Sequence, residues 1–270
     1  VNPALGFVKE ISTNYSLLAN YREANRAPSP VELACADPAA PCRLPNAFVA
    51  DPPLEQVITR SVETGIRGKS NFNKFTINFT SVGFLSKNYD DIIFVSSGTG
   101  LSSGYFKNFG ETQRLGIDFT IDAFNKKKEI GVKGFSINYS YLEASFQSAH
   151  TLPAANHPNS VNDVQAGDII PGMPKHKINA NVTYNLFKDL DITAGLNGAT
   201  GVYLRGDESN QLKKTAPYAV INFKSEYTPR KNVQFFARIE NVLDSDYETM
   251  GVLGEAASDE VNVPISELGD

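Results

Sequence analysis

The feature that most constrains this chain is an alternation of period two that returns along most of its length. INANVTYNL (178–186) sets Ile178, Ala180, Val182, Tyr184 and Leu186 on one flank, with Asn179, Asn181, Thr183 and Asn185 on the other. LDITAGLN (190–197) and LGIDFTIDA (115–123) repeat the arrangement, as do FTINFT (75–80), FSINYSY (135–141) and AVINFKSEY (219–227). NYSLLANYRE (14–23) and SVETGIRGK (61–69) carry it in blurred form. Successive side chains of a strand point to opposite faces, so a sustained period of two means strands lying between two unlike environments. No stretch shows a competing helical stripe. The chain is read as all-β, and its 17 Phe and 11 Tyr suit that reading.

The connections carry a second regularity. Strands are expected at 3–8 and 14–24, 57–69 and 74–88, 107–124 and 131–147, 173–187 and 190–204, and 216–228 and 233–247. Within each pair the turn is short (KEIST, SNFN, NKKKEI, KD, PRKN), and between pairs the connection is long. Ten strands in five hairpins therefore put all short turns at one end and all long loops at the other. A soluble sandwich also alternates, but its strands are usually about five or six residues. Many strands here run to ten or more residues, which a tilted bilayer crossing requires. No apolar run approaches the roughly 18 residues of a membrane helix, a test that does not touch strands. An antiparallel transmembrane β-barrel follows, apolar flank to lipid and Asn/Thr/Asp flank to a wet lumen. Tyr184, Phe187 and Tyr227 beside short turns fit an interfacial girdle. Closure also spares long strands from exposed edges.

With 25 basic against 30 acidic residues, the net charge of −5 argues against a nucleic-acid partner. VNPALGFVKE has neither a basic start nor a long apolar region, so it is not read as a signal peptide, and a start in mid-strand suggests a segment of a longer chain. Cys35 and Cys42 flank the Pro/Ala-rich CADPAAPC. A loop-closing disulfide is preferred over two free thiols, and over a zinc pair, which lacks a second Cys or His pair at ligand spacing.

Other candidates have bland readings that outweigh the sharp ones. Gly100-Leu-Ser-Ser-Gly104 matches G-x-S-x-G but is followed by a loop and another strand rather than a helix, so no catalytic residue is assigned. Ser96-Ser-Gly-Thr-Gly100 lacks the Lys and helix of a phosphate loop. His150 and His157 share one long loop, and His176 opens a strand; a metal or ferric-chelate contact is conceivable, with solvated loop residues preferred. Asp244 and Asp246 lack calcium-loop spacing and read, with Asn241, as a cap or turn. The N-x-S/T sequons at Asn14, Asn78, Asn138 and Asn181 follow from the alternation itself. The lumenal charges Glu63, Arg67, Asp118, Asp122, Lys224, Glu226, Arg238 and Glu240 are read as ion pairs with neighbouring strands or with a plug outside this chain, in preference to substrate contacts.

Five stretches resemble TonB-dependent outer-membrane receptors, in that family's order. NYSLLANYREANRAPSPVEL (14–33) resembles a strand that ends in an Arg-Ala-Pro run followed by Glu-Leu, here Arg26, Pro28, Glu32 and Leu33. RSVETGIRGK (60–69) is similar to the next strand, with Glu63, Gly65 and Arg67 in a Ser-x-Glu-x-Gly-x-Arg pattern. NFGETQRLGIDF (108–119) and PGMPKHKINANVTY (171–184) match later strands. ENVLDSDYE (240–248) resembles the family's Asn-Leu-Phe-Asp-x-x-Tyr signature through Asn241, Asp244 and Tyr247, with Val-Leu replacing Leu-Phe. The resemblance implies a monomeric barrel of about twenty-two strands filled by an N-terminal plug. Residues 1–270 would supply ten strands, without the plug, the TonB box or the last strand.

The resemblance further implies a multi-pass barrel in the outer membrane of a Gram-negative bacterium. It would contact outer-membrane lipid, couple to the TonB energy-coupling protein through its plug, and import a scarce small molecule such as a ferric siderophore. No cofactor and no enzymatic chemistry are expected. Loops 24–56, 89–106, 148–171, 205–215 and 248–270 would form the extracellular mouth. A passive porin-type channel and, less favoured, a soluble β-sandwich binding protein are the alternatives.

Overall fold

A computed structural model of the chain describes residues 1–36, 54–96, 104–125, 127, 130–153, 161–187 and 189–253. The elements run β1 (Ala4–Ser12), β2 (Tyr15–Arg26), α1 (Pro30–Ala34), β3 (Val57–Phe72), β4 (Phe75–Tyr89), β5 (Ile92–Ser96) and β6 (Gly104–Asn108). They continue as β7 (Thr112–Asn125), β8 (Gly131–Phe146), β9 (His150–Pro153), β10 (Val161–Val164), β11 (His176–Phe187), β12 (Leu190–Ala199), β13 (Tyr218–Arg230) and β14 (Val233–Ile239). One ten-stranded sheet takes the order β1-β2-β3-β4-β7-β8-β11-β12-β13-β14. Every neighbouring pair in it is antiparallel. This is the all-β, ten-strand wall expected from the alternation. Among the described residues it is an open wall: β1 and β14 each have one neighbour, and both are exposed along their length.

Cross-strand register shows which residues share a face. Val62, Leu85 and Leu115 lie on one row, as do Thr64, Gly83, Ile117, Tyr141 and His176, so the apolar positions line up as one surface. Leu115 and Ile117 on that surface are 43% and 49% exposed, as befits side chains whose solvent is lipid. From Phe75 to Leu85 the outward positions of β4 stay uncharged, and beyond them comes Lys87; on β3 they stay uncharged from Phe72 to Val62, and beyond them comes Arg60. Ten intervals of about 3.4 Å, tilted by about 45°, give about 24 Å of height, against about 25 Å for the apolar band of a membrane barrel. Aromatics mark the short-turn edge of the band, with Tyr15 against Phe79 at 6.0 Å, Phe75 near Phe135 at 6.4 Å and Tyr227 against Phe235 at 6.4 Å.

Several boundaries differ from the sequence reading, each for a local reason. The strand expected at 107–124 starts at Thr112, because residues 104–108 pair instead with β5 and Gly110 turns the chain at φ 84°. The strand expected at 173–187 starts at His176, after Gly172 at φ 77°. The strand expected at 190–204 ends at Ala199, and the one expected at 233–247 ends at Ile239, before Asn241 and Asp244 adopt φ 48° and 47°. The β3–β4 turn depends on Asn73 at φ 53°, a left-handed conformation that Asn tolerates. Two short hairpins, β5–β6 and β9–β10, and the five-residue helix α1 were not foreseen; all three lie in the long connections.

Candidate functional site

The inner face of the wall is built from the polar half of the alternation. Arg22 Nη2 donates to Glu63 Oε1 at 2.8 Å across β2 and β3, Thr120 Oγ1 donates to Asn138 Oδ1 at 3.1 Å, and Thr183 and Thr193 share a hydrogen bond of 3.0 Å. Ser140 donates to Asp118, and Lys133 pairs with Asp191, which also accepts from Asn185 Nδ2 at 2.8 Å. Lys133 reaches Asp191 because the β8–β11 register slips there: Gly134 faces Thr183 while Val132 faces Tyr184. The extra residue re-aims a side chain that strict alternation would send to lipid. Of the charges expected to pair across strands, Glu63 does so with Arg22. Lys224 instead meets Glu226 at 3.0 Å and Arg238 meets Glu240, each two residues along the same stretch of chain, and Asp118 is bonded by the Ser140 hydroxyl.

The Arg-Ala-Pro motif closes on itself at the top of this wall. Ser29 caps α1, accepting from the Glu32 amide at 3.3 Å, while the Glu32 carboxylate accepts from the Ser29 amide at 2.6 Å. This reciprocal pair satisfies donors that a helix start would leave open, and Pro30 fits the first turn because it has no N–H to lose. Arg26 donates to both Glu32 oxygens, at 2.7 and 3.0 Å, tying the end of β2 to the helix. Hydrogen bonding to Arg26, more than to Ser29, holds the Glu32 carboxyl below the usual carboxylate range against the opposing effect of burial. Arg26, Ser29 and Glu32 therefore form one unit, joined by the Leu33 amide donating to the Ser29 carbonyl at 3.0 Å, with Cys35 just after it. Cys35 is not a free thiol, and Cys42, its expected partner, lies outside the described residues.

The other family-motif residues act locally. Gly65 leaves room for the neighbouring strand: a Cβ there would sit 2.4 Å from the Ser81 carbonyl oxygen. Glu63 faces Arg22 and Asn20. Asn241 bridges its own loop, accepting from the Ser245 amide and donating to the Ser245 carbonyl, both at 3.0 Å, while its amide donates to Asn222 Oδ1 at 2.9 Å. Asp244 donates its amide to the Asn241 carbonyl at 2.8 Å, and Tyr247 folds back to stack on Tyr218 at 4.8 Å. The Asn/Asp cluster after the last strand is a structural stop.

The main finding that sequence reasoning missed is a packed cap at the long-loop end. Val95, Phe109, Ala144, Phe146, Leu152, Val164 and Ile170 form a buried cluster, with Phe109 and Phe146 fully buried and 4.7 Å apart. Its origin lies in β8. Up to Tyr141 the apolar residues point outward, but above it Leu142, Ala144 and Phe146 take the inward positions while Glu143 and Ser145 face out. The polarity of the alternation inverts where the strand leaves the lipid. YLEASF carries that inversion in plain sight, and it was the available signal.

Polar clasps hold the cap to the wall. Asp91, 7% exposed, accepts from Thr112 Oγ1 at 2.6 Å, Asn88 Nδ2 at 3.2 Å and Arg114 Nη2 at 3.3 Å. Asn162 on β10 donates to the Gly206 carbonyl at 2.5 Å and to Glu208 Oε2 at 2.8 Å, and accepts from Ser209 Oγ at 2.9 Å. The 205–215 loop and the β9–β10 hairpin are thus one body. His150 packs on Phe109 at 4.2 Å with its Nε2 buried and unpartnered among the described residues. Burial first, and the Lys107 charge second, lower its basicity.

His176 instead stands at the band edge, its Nδ1 2.8 Å from the Tyr139 hydroxyl. His157 and the G-x-S-x-G serine Ser102 lie outside the described residues. Among the described residues, no three His, Cys, Asp or Glu side chains gather as metal ligands.

Comparison with known proteins places this architecture. A family model described as "TonB dependent receptor-like, beta-barrel" matches residues 1–242. No curated protein matches the chain. Among solved structures, the siderophore receptor PiuA from Acinetobacter baumannii superposes with a TM-score of 0.67 at 18% identity, over 93% of this chain and 33% of that one. The copper transporter OprC gives 0.64 at 17% identity, over 97% and 37%. The ferric yersiniabactin uptake receptor FyuA from Yersinia pestis gives 0.62 at 15% identity, over 95% and 34%. The chain spans about a third of the length of these structures. With a family match across most of its length, the chain belongs to the TonB-dependent receptors and is β-barrel wall of that family.

Proposed function

We propose that this chain forms part of the wall and mouth of an energised importer in a Gram-negative outer membrane. The mouth captures a scarce small molecule, a ferric siderophore, and a plug moved by the TonB protein releases it inward. The observation that carries this reading is the built cap: the β5–β6 and β9–β10 hairpins pack around fully buried Phe109 and Phe146, clasped to the wall through Asp91 and to the 205–215 loop through Asn162. A mouth that must recognise one ligand needs such fixed loops, since binding and catalytic groups are commonly carried on loops held by a rigid scaffold. Siderophore receptors among the neighbours support the ligand class, and the copper transporter sets the main competing cargo. The chain's role is positional, with polar wall, plug docking surface and binding loops and no covalent step. A Cys35–Cys42 bridge would then fasten the loop after α1 in an oxidising compartment.

The test is uptake of radiolabelled iron, supplied as a panel of ferric siderophores, by cells carrying or lacking the complete receptor. We expect uptake of at least one chelate to require both the receptor and TonB. Receptor-dependent uptake that persists without TonB would replace this reading by a passive channel. TonB-dependent uptake of copper with none of the chelates would correct the ligand.

A further inference from the structure

We propose that the short-turn end of the wall holds the phosphodiester headgroups of anionic phospholipids in the leaflet on that side, the periplasmic one. The proposal rests on the barrel assignment and on where the chain keeps its positive charge. Five stretches join the paired strands at that end: KEISTN (9–14), KSNFNK (69–74), NKKKEIGVK (125–133), KDLD (188–191) and PRKN (229–232). Together they carry ten Lys and Arg against four Asp and Glu, in a chain with 25 against 30 overall. The excess comes from the β3–β4, β7–β8 and β13–β14 turns, so it is spread across the sheet.

Lys74, Arg230 and Lys231 are exposed, and none of them forms an ion pair among the described residues. The Lys74 ammonium lies 5.9 Å from the centre of the Phe75 ring. Phe75 holds an outward position at the lower edge of the band, near Phe135, so this cation is turned to the lipid side. Arg230 and Lys231 follow the outward residue Tyr227, whose ring stacks on Phe235 at 6.4 Å. Lys133 is an inward cation of the same end, and it is matched by Asp191. Outward cations toward the mouth are matched too: Arg60 by Glu23, Lys87 by Glu111 and Lys175 by Glu143.

Depth decides what the unmatched cations meet. A strand tilted by about 45° descends about 2.4 Å per residue. Lys74 stands one residue past the band edge and Arg230 three past Tyr227, which places their backbone about 2–7 Å below the apolar band. The headgroup layer on each side of the hydrocarbon is about 5–8 Å deep. Turns this short do not carry their cations through that layer, so the partner has to lie within it. Cations at that depth attract anionic headgroups, and the aromatics beside them mark the same interface. A soluble acidic protein would need the charge on a longer, projecting loop.

The test uses the complete receptor in phosphatidylcholine vesicles with trace spin-labelled lipid. It reads the immobilised fraction of labelled phosphatidylglycerol against labelled phosphatidylcholine. We expect the wild type to prefer phosphatidylglycerol, and the Lys74→Gln/Arg230→Gln/Lys231→Gln variant to prefer it about fivefold less, the weight of one cation per headgroup. Heat-modifiable migration on gels shows that both proteins are folded. Labelled diacylglycerol, which keeps the chains and lacks the phosphate, should not distinguish the two proteins. Equal preference for phosphatidylglycerol in both would overturn the proposal and leave these cations to a soluble acidic partner. A variant effect of the same size on diacylglycerol would also overturn it. So would loss of the preference in millimolar glycerol phosphate beyond that in chloride of equal ionic strength, since the turns would then be a soluble-anion site. No cargo enters this readout, so its failure is distinguishable from failure of the import reading.

Discussion

At the scale of single residues, the family motifs are devices for ending strands and packing them closely. The Arg26–Glu32–Ser29 unit shows the first use, and its pH behaviour follows in sign. Glu32 binds its proton less readily in the fold than in the unfolded chain, so its contribution is fully present above its ordinary value of 4.5 and is lost as pH falls through the lowered folded value. Arg26, the main cause of that shift, is half exposed, so the gain is a surface one and small. Replacing Ser29 by Ala, which removes the capping hydroxyl, should speed hydrogen exchange at the Leu33 and Cys35 amides, which bond Ser29 and Val31 carbonyls, by about fivefold, or roughly 1 kcal/mol. Unchanged exchange there would remove the cap from this account. Gly65 shows the second use. Its Ala variant must displace backbone on β4, and we expect a loss of about 1–3 kcal/mol in unfolding of the intact barrel, with a lower melting temperature as the reading. His150 resists protonation where it is buried, so the cap should keep full stability above pH 6.5 and loosen as pH falls below it. Limited proteolysis of the loops across that range checks this, and His150→Gln should flatten the dependence.

At the scale of elements, the wall strands were legible because each holds two environments apart over ten or so residues, and a period of two needs only that contrast. The pairing followed too, since hairpins joined by short turns pair with their neighbours. The strand ends were less legible. They are set by single backbone conformations, at Gly110, Gly172, Asn241 and Asp244, that hydrophobic pattern does not register. The cap was invisible for a different reason: β5, β6, β9 and β10 are four or five residues long, and their packing joins Val95, Phe146 and Val164 from distant parts of the sequence. Of the candidate site residues, Glu63 and Asn241 could be placed from their motifs, but the inward use of Leu142, Ala144 and Phe146 became clear only from the register with β7. If the cap is a separate packed body, Phe109→Ala or Phe146→Ala should destabilise it by about 3–5 kcal/mol. Loop amides would then exchange faster while the β11–β12 amides keep their protection. Equal loss in both places would make cap and wall one cooperative unit.

At the scale of the whole molecule, one rule accounts for the wall: the apolar half of each strand meets lipid, the polar half meets the lumen, and the assignment inverts where the strand rises out of the band. Binding loops, polar wall and lipid contact all depend on that orientation. It is tested most directly on β11 in the complete receptor, in membranes, by placing a spin label at each position from Ile178 to Leu186 in turn. Collisions with dissolved oxygen and with a water-soluble nickel chelate are then measured. Labels at 178, 180, 182, 184 and 186 should be oxygen-accessible and shielded from the chelate, and those at 179, 181, 183 and 185 should show the reverse. A series with no period of two, or with both sets equally open to the chelate, would contradict the membrane wall and the import function built on it.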